Sequence, residues 1–485
     1  MKRLQYPVGP LTGALVMFFV FGQVPFAPPL PPTPPGLDDR DITRAVQQRL
    51  ALEGAVREQR IVVTTQDGIV TLSGTVPRLS AKLAAGAAAR MVRGVIGVFN
   101  EIEVEPRPRL DSSIRVDVVT AITADPLADI RQIDVEVENG VVILTGTVGS
   151  PLERSTAEEI AQGVAGVAGV RNLLTFEPVA ERPDGDIAED IQYRLRADAD
   201  VAAGLITVVV QQGEVTLAGS VRSAAERMRA EEQVWTVPGV RAVENNLDVQ
   251  WWRADEMAAW PDPWTDGLIR ETIEEALQRN PRVDAGQVAT TVRDGVVILM
   301  GEVVHLQAKR AAEEEARNIV GVRRVQNQLR VRPPEERPDD TIAEDIQEGL
   351  QRDAYVERYD VQVQVENGLA QLRGDVDSLY AREQAEAIAA RVAGVIDIRN
   401  QLEVVADETA RADRDIEEDI KNYLRWDPVV DPEKIDVEVQ AGVATLTGTV
   451  DNWTQVRAAE RSARWGGATR VVNRLAVARS PEPAN

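Results

Sequence analysis

Apolar and acidic positions alternate through Ile133, Asp134, Val135, Glu136, Val137 and Glu138, and a second apolar run opens at Val141. Alternation at a period of two predicts a strand with one buried face. Between the runs, Asn139-Gly140 tolerates positive φ at both positions, as a two-residue hairpin turn requires. The stretch therefore predicts a β-hairpin. The chain carries six versions of it, with turn glycines at Gly68, Gly140, Gly213, Gly295, Gly368 and Gly442. Six residues past each stands another glycine, at Gly74, Gly146, Gly219, Gly301, Gly374 and Gly448.

The pattern on either side changes to a helical period. Ahead of each hairpin, apolar residues recur every fourth position, as in Ile42, Val46 and Leu50 or Ile342, Ile346 and Leu350. This spacing predicts a short helix with one buried stripe. Acidic residues crowd its first turn, where they suit the N-cap and the helix dipole. An alanine-rich second helix follows the hairpin, illustrated by Ser150-Pro151 at its start. A last strand closes the unit. Its asparagine, at Asn100, Asn172, Asn245, Asn327, Asn400 and Asn473, recurs after 72, 73, 82, 73 and 73 residues. The asparagine is expected to point inward and satisfy backbone groups. The chain thus reads as six αββαβ units over 39–105, 111–178, 184–250, 266–332, 339–405 and 412–478.

These units resemble the BON domain, named after bacterial osmotically inducible and nodulation proteins. The resemblance rests on the hairpin Gly140-Val141-Val142-Ile143-Leu144-Thr145-Gly146 and on the closing run from Gly321 to Leu329. Departures are mild: Ile102 replaces leucine, Ala441 precedes a turn glycine, and Gly467-Ala468 replaces Gly-Val. The resemblance implies an α+β module, a three-stranded sheet covered on one face by two helices. It also implies residence in a bacterial envelope, a role at phospholipid surfaces, and no catalytic residues.

Lys2 and Arg3 precede an apolar centre from Leu11 to Phe26, so 1–27 reads as a signal peptide or N-terminal anchor. A proline-rich linker over 28–38 favours extended chain. Other linkers are short and polar, and two are near copies, ERPDGDIAEDIQ and ERPDDTIAEDIQ, which hints at an internal duplication. The joint over 251–265 differs. It holds Trp251, Trp252, Trp260 and Trp264, half of the eight tryptophans. Such a cluster suits either a plug between repeats or a membrane or partner contact.

Charge narrows the function. A net charge of −24 argues against nucleic acid, which requires a basic face. The chain has no cysteine, hence no disulfide and no thiolate metal site. Its single histidine, His305, is expected in an exposed loop without a catalytic partner. The acidic runs lack the ligand spacing of a calcium loop. No cofactor is implied.

If the helices cover one sheet face, the other is free. Asp134, Glu136 and Glu138 would make it wet in the second unit, whereas Val296, Ile298 and Met300 would make it apolar in the fourth. Apolar outer faces predict contact with membrane, partner or neighbouring repeat, and docking of the repeats into a rod or arc. Two functions fit: a non-enzymatic, exported envelope protein binding phospholipid or envelope components, with a role in osmotic or envelope stress; or a self-assembling scaffold, a homo-oligomer built by repeat packing.

Overall fold

The computed structural model describes residues 37–478 apart from 53–55, 57–60, 126–132, 150, 177–181, 251, 253–264, 281, 406–411 and 452. The expected signal or anchor, Ser150 and nearly all of the proline-rich linker fall outside these residues. The repeats are called modules 1 to 6 in chain order.

Module 4 shows how a unit is built. Its first helix, Asp266–Arg279, buries Ile269, Ile273 and Leu277, and Thr265 caps it by accepting from Leu268 N. The hairpin follows as Val288–Arg293 and Val296–Val303. Asp294 and Gly295 have φ of 51° and 69°, the double positive φ of the predicted turn. The second helix, Leu306–Asn318, packs four alanines inward. The chain then returns as Arg324–Val331, parallel to the second hairpin strand. That strand is therefore the centre of a mixed sheet, antiparallel on one side and parallel on the other. Modules 3 and 5 repeat this order, while in modules 1, 2 and 6 the closing strand breaks into two short pieces.

The second hairpin glycine has a steric reason. Gly301 sits at φ 127°, and a Cβ there would lie 1.9 Å from the Gln287 carbonyl oxygen. Only glycine lets the strand pass so close to the segment entering the hairpin.

The core divides into six clusters, one per module. Each holds mostly valine, isoleucine, leucine and alanine, whose full burial contributes about 1.5–3 kcal/mol for each large side chain. A unit of about 66 residues buries little surface alone. Neighbours supply more: Leu79 of module 1 enters the core of module 2, Leu306 of module 4 that of module 5, and Ala197 of module 3 that of module 4.

The modules dock in a nested order, 1 with 6, 2 with 5 and 3 with 4. In each pair, backbone just past a helix end meets backbone of the other module. Ala199 N donates to Asn318 O at 2.7 Å and Val320 N to Ala197 O at 3.1 Å. Ala165 N donates to Arg352 O at 2.9 Å and Ala354 N to Gly163 O at 3.0 Å. Arg93 N donates to Trp426 O at 2.8 Å. Within the pair of modules 1 and 6, Tyr423 Oη also donates to Gln48 O, and ion pairs bridge between pairs, Arg310 of module 4 and Arg464 of module 6 reaching Glu386 and Glu383 of module 5. The described residues form one compact unit.

This differs from the expected docking through apolar sheet faces. Helix ends leave backbone donors and acceptors unpaired, and mutual pairing satisfies them. The outward residues of a middle strand are already flanked on both sides, so Ile298 is half-buried between its register partners Thr291 and Gln326.

Candidate functional surface

The recurring polar residues hold modules together. Each closing asparagine donates through Nδ2 to a carbonyl of its second helix, as Asn327 does to Lys309 O at 2.8 Å and Asn400 to Arg382 O at 2.9 Å. Its Oδ1 accepts from the N–H two residues on, at 3.0 to 3.4 Å in all six modules. With both ends engaged, the amide clamps strand to helix.

Two further repeated positions escaped the sequence reading. Asp39, Asp111, Asp184, Asp266, Asp339 and Asp413 start the first helices, and each carboxylate accepts both turn N–H groups of its own hairpin at 2.7 to 3.0 Å. The signal was available: each lies 29 residues before its turn glycine. The second position falls fourteen residues after these aspartates. It reads Asp125, Asp198, Asn280, Asp353 and Asp427 in modules 2 to 6. The four aspartates are buried.

The linker arginines are also structural. Arg182 donates to Pro238 O and pairs with Asp190 at 2.8 Å; Arg337 donates to Ala393 O and pairs with Asp345 at 2.6 Å. The near-identical linkers therefore make identical contacts.

Burial sets the electrostatics of the joints. It pushes Asp198 up to about 6, against the opposing charge of Arg229. It raises Asp353 against the hydrogen bond from Gln384, and Glu315 against that from Asn280. His305 is half-buried rather than exposed, as the residue preceding the second helix of module 4. Burial lowers its pKa, opposed by Asp125 of module 2. No nucleophile stands beside it in a described hydrogen bond, and among the described residues no group of acids and histidine could hold a metal ion. A small cleft between modules 3 and 4 is lined by Arg194, Arg229, Arg279 and Glu315.

The candidate contact residues divide. Trp251, Trp260 and Trp264 lie outside the described residues, and Trp252 is half-buried. Val296 and Ile298 are half-buried on the outer sheet face of module 4, and Met300 is 38% exposed there. These three share a face with Arg293, Arg324 and Arg330, all exposed. In module 2 the same face carries Asp134, Glu136 and Glu138. Among the described residues no helix is long and apolar enough to cross a membrane.

Comparison with known proteins agrees with this architecture. The chain is 32% identical over 145 residues to osmotically-inducible protein Y of Escherichia coli (strain K12), covering 28% of this chain and 72% of that protein. It is 29% identical over 146 residues to the outer membrane lipoprotein DolP of Haemophilus influenzae and to a 21 kDa hemolysin of Actinobacillus pleuropneumoniae, in each case covering 29% of this chain and 75% of the relative. A solved structure of CdsD, a structural protein of the type III secretion system of Chlamydia trachomatis, overlaps with a TM-score of 0.13 at 14% identity, over 46% of this chain and 94% of that one, and carries no argument. The BON domain model matches residues 38–106, 110–178, 183–250, 265–333, 338–406 and 412–479, and with six matches over most of its length the chain belongs to the BON-domain family.

Proposed function

We propose that this is a non-enzymatic cell-envelope protein that engages phospholipid membrane surface or other envelope components, with a role in osmotic or envelope stress. The observation that carries the reading is the six-fold use of a module shared with an osmotically inducible protein and an outer membrane lipoprotein. The arrangement suits a surface binder. Recurring polar residues are committed to turns, clamps and joints, and the outer sheet faces are left available. The scaffold reading receives less support, because the repeats pack on one another within a single chain.

Cell fractionation followed by vesicle flotation of the purified chain tests the reading. Recovery with the envelope and flotation on phospholipid vesicles are expected. Recovery in the cytosol, with no flotation on any phospholipid mixture, overturns it.

A further inference from the structure

The six outer sheet faces are alike in backbone and unlike in charge. In module 3 the register-paired outward positions carry Glu214, Glu244 and Asp248 and no cation. In module 2 they carry Asp134, Glu136 and Glu138 against Arg171. In module 5, Glu366, Asp375, Asp397 and Glu403 outnumber Arg373 and Arg399. Modules 1 and 6 show no excess of cations either. Module 4 alone reverses the sign: Arg293, Arg324 and Arg330 stand against the single carboxylate Glu302. Arg332, next outward past Arg330, already pairs with Glu302 at 3.3 Å. Between the arginines runs the row Val296, Ile298 and Met300, bordered by the uncharged Gln326 and Gln328.

Resting on the reading above, the geometry points to the outer sheet face of module 4 as the docking face, with anionic phospholipid headgroups as its occupant. A guanidinium matches phosphate oxygens in a two-pronged geometry and stays charged. The apolar row between the arginines gives a shallow contact once the headgroups are engaged. The chain's net charge of −24 does not forbid this, because charges beyond about 8 Å are screened at physiological salt. The acidic faces of modules 2 and 3 would instead be repelled, so the same charges orient the molecule with module 4 toward the membrane.

The test uses the full chain, vesicles of phosphatidylglycerol mixed with phosphatidylcholine, and vesicles of phosphatidylcholine alone. The wild type is expected to float with the anionic vesicles, less at high salt, and little with the zwitterionic ones. R293Q/R324Q/R330Q should lower partition roughly 100-fold, at about a fivefold effect for each surface arginine. These side chains are exposed, so the variant is expected to melt like the wild type, and E136Q/E138Q in module 2 should not weaken flotation. Unchanged flotation of the triple variant overturns the assignment of this face and leaves the proposed function standing. No flotation of the wild type on either vesicle overturns the lipid assignment, and recovery of the chain in the cytosol as well removes the proposed function with it. Salt-sensitive self-association that the triple variant abolishes, without vesicle binding, makes a second copy the occupant and overturns the lipid assignment.

Discussion

Two joints in this molecule share a backbone pattern and differ in what faces a buried carboxylate. Between modules 3 and 4, Asp198 lies opposite Ile319; between modules 5 and 2, Asp353 lies opposite Val164. Both aspartates fold the chain back the same way, accepting from the N–H two residues on at 2.7 and 2.8 Å. Asp198 then receives Arg229 Nε at 2.9 Å, whereas Asp353 receives no cation but the N–H of Val356 and the amide of Gln384, both at 2.9 Å. The facing helix ends in Asn318 at the first joint and Gly163 at the second. The backbone register thus fixes the geometry, and the side chains set its energetics. A carboxylate 4% or 8% exposed requires a counter-ion or a proton, and the two joints answer differently.

The largest expected effect comes from removing the counter-ion. Arg229→Ala leaves Asp198 buried beside no bonded cation and should cost about 3–5 kcal/mol at neutral pH. Gln384→Ala removes one hydrogen bond to a carboxylate and should cost about 1–2 kcal/mol. Denaturant melts of the two variants at pH 7.5 compare them directly. Equal losses would mean that the joints do not differ in the way described.

Next in size is a pH effect. Asp198, at about 6 when folded, and Asp353, also raised, lie above the unfolded aspartate near 3.9. For Asp198 the folded state therefore binds more protons in the window from about pH 4 to 6, and the Asp353 shift has the same sign. The penalty of the charged Asp198 is full above that window and is relieved as pH falls through it, and that of Asp353 is likewise relieved on acidification. Asp353→Asn, which carries no charge and keeps the oxygen that accepts the two backbone N–H groups, should stabilise the fold at pH 7.5. That advantage should shrink as pH falls and Asp353 takes up its proton. A pH-independent difference between variant and wild type would assign the effect to packing instead.

The modules were legible in sequence because their turns have stringent demands. Positive φ at two successive residues favours Asn-Gly and Asp-Gly, and a period near 73 residues repeats the signal. The aspartate 29 residues before each turn glycine was equally periodic, but an acid at a helix start already has a sufficient local reason, which hid its reach to the hairpin. The joints were not legible. The bond from Tyr423 Oη to Gln48 O crosses 375 residues, and nothing local at either end selects the other. Parity placed Val296, Ile298 and Met300 on one face, yet it could not show that the closing strand returns parallel and half-covers Ile298. Taking that row as the docking surface between modules missed the helix ends that join them.

The smallest effect expected comes from giving one joint part of the other's side-chain chemistry. Gly163 ends the second helix of module 2, where Asn318 stands in the joint of modules 3 and 4. A Cβ at Gly163 would meet nothing closer than Asp353 Oδ2 at 3.8 Å, an ordinary contact. Gly163→Ala should therefore stabilise by about 0.5–1 kcal/mol, through reduced freedom of the unfolded chain. The new methyl also excludes water from the Asp353 carboxylate and raises its pKa further. Part of the gain is then cancelled while the group is charged and restored once it is protonated. The stabilisation should thus be larger at pH 5 than at pH 8 in paired thermal melts. In the Asp353→Asn background the two values should coincide, and a persisting pH dependence there would place the titrating group elsewhere in the joint.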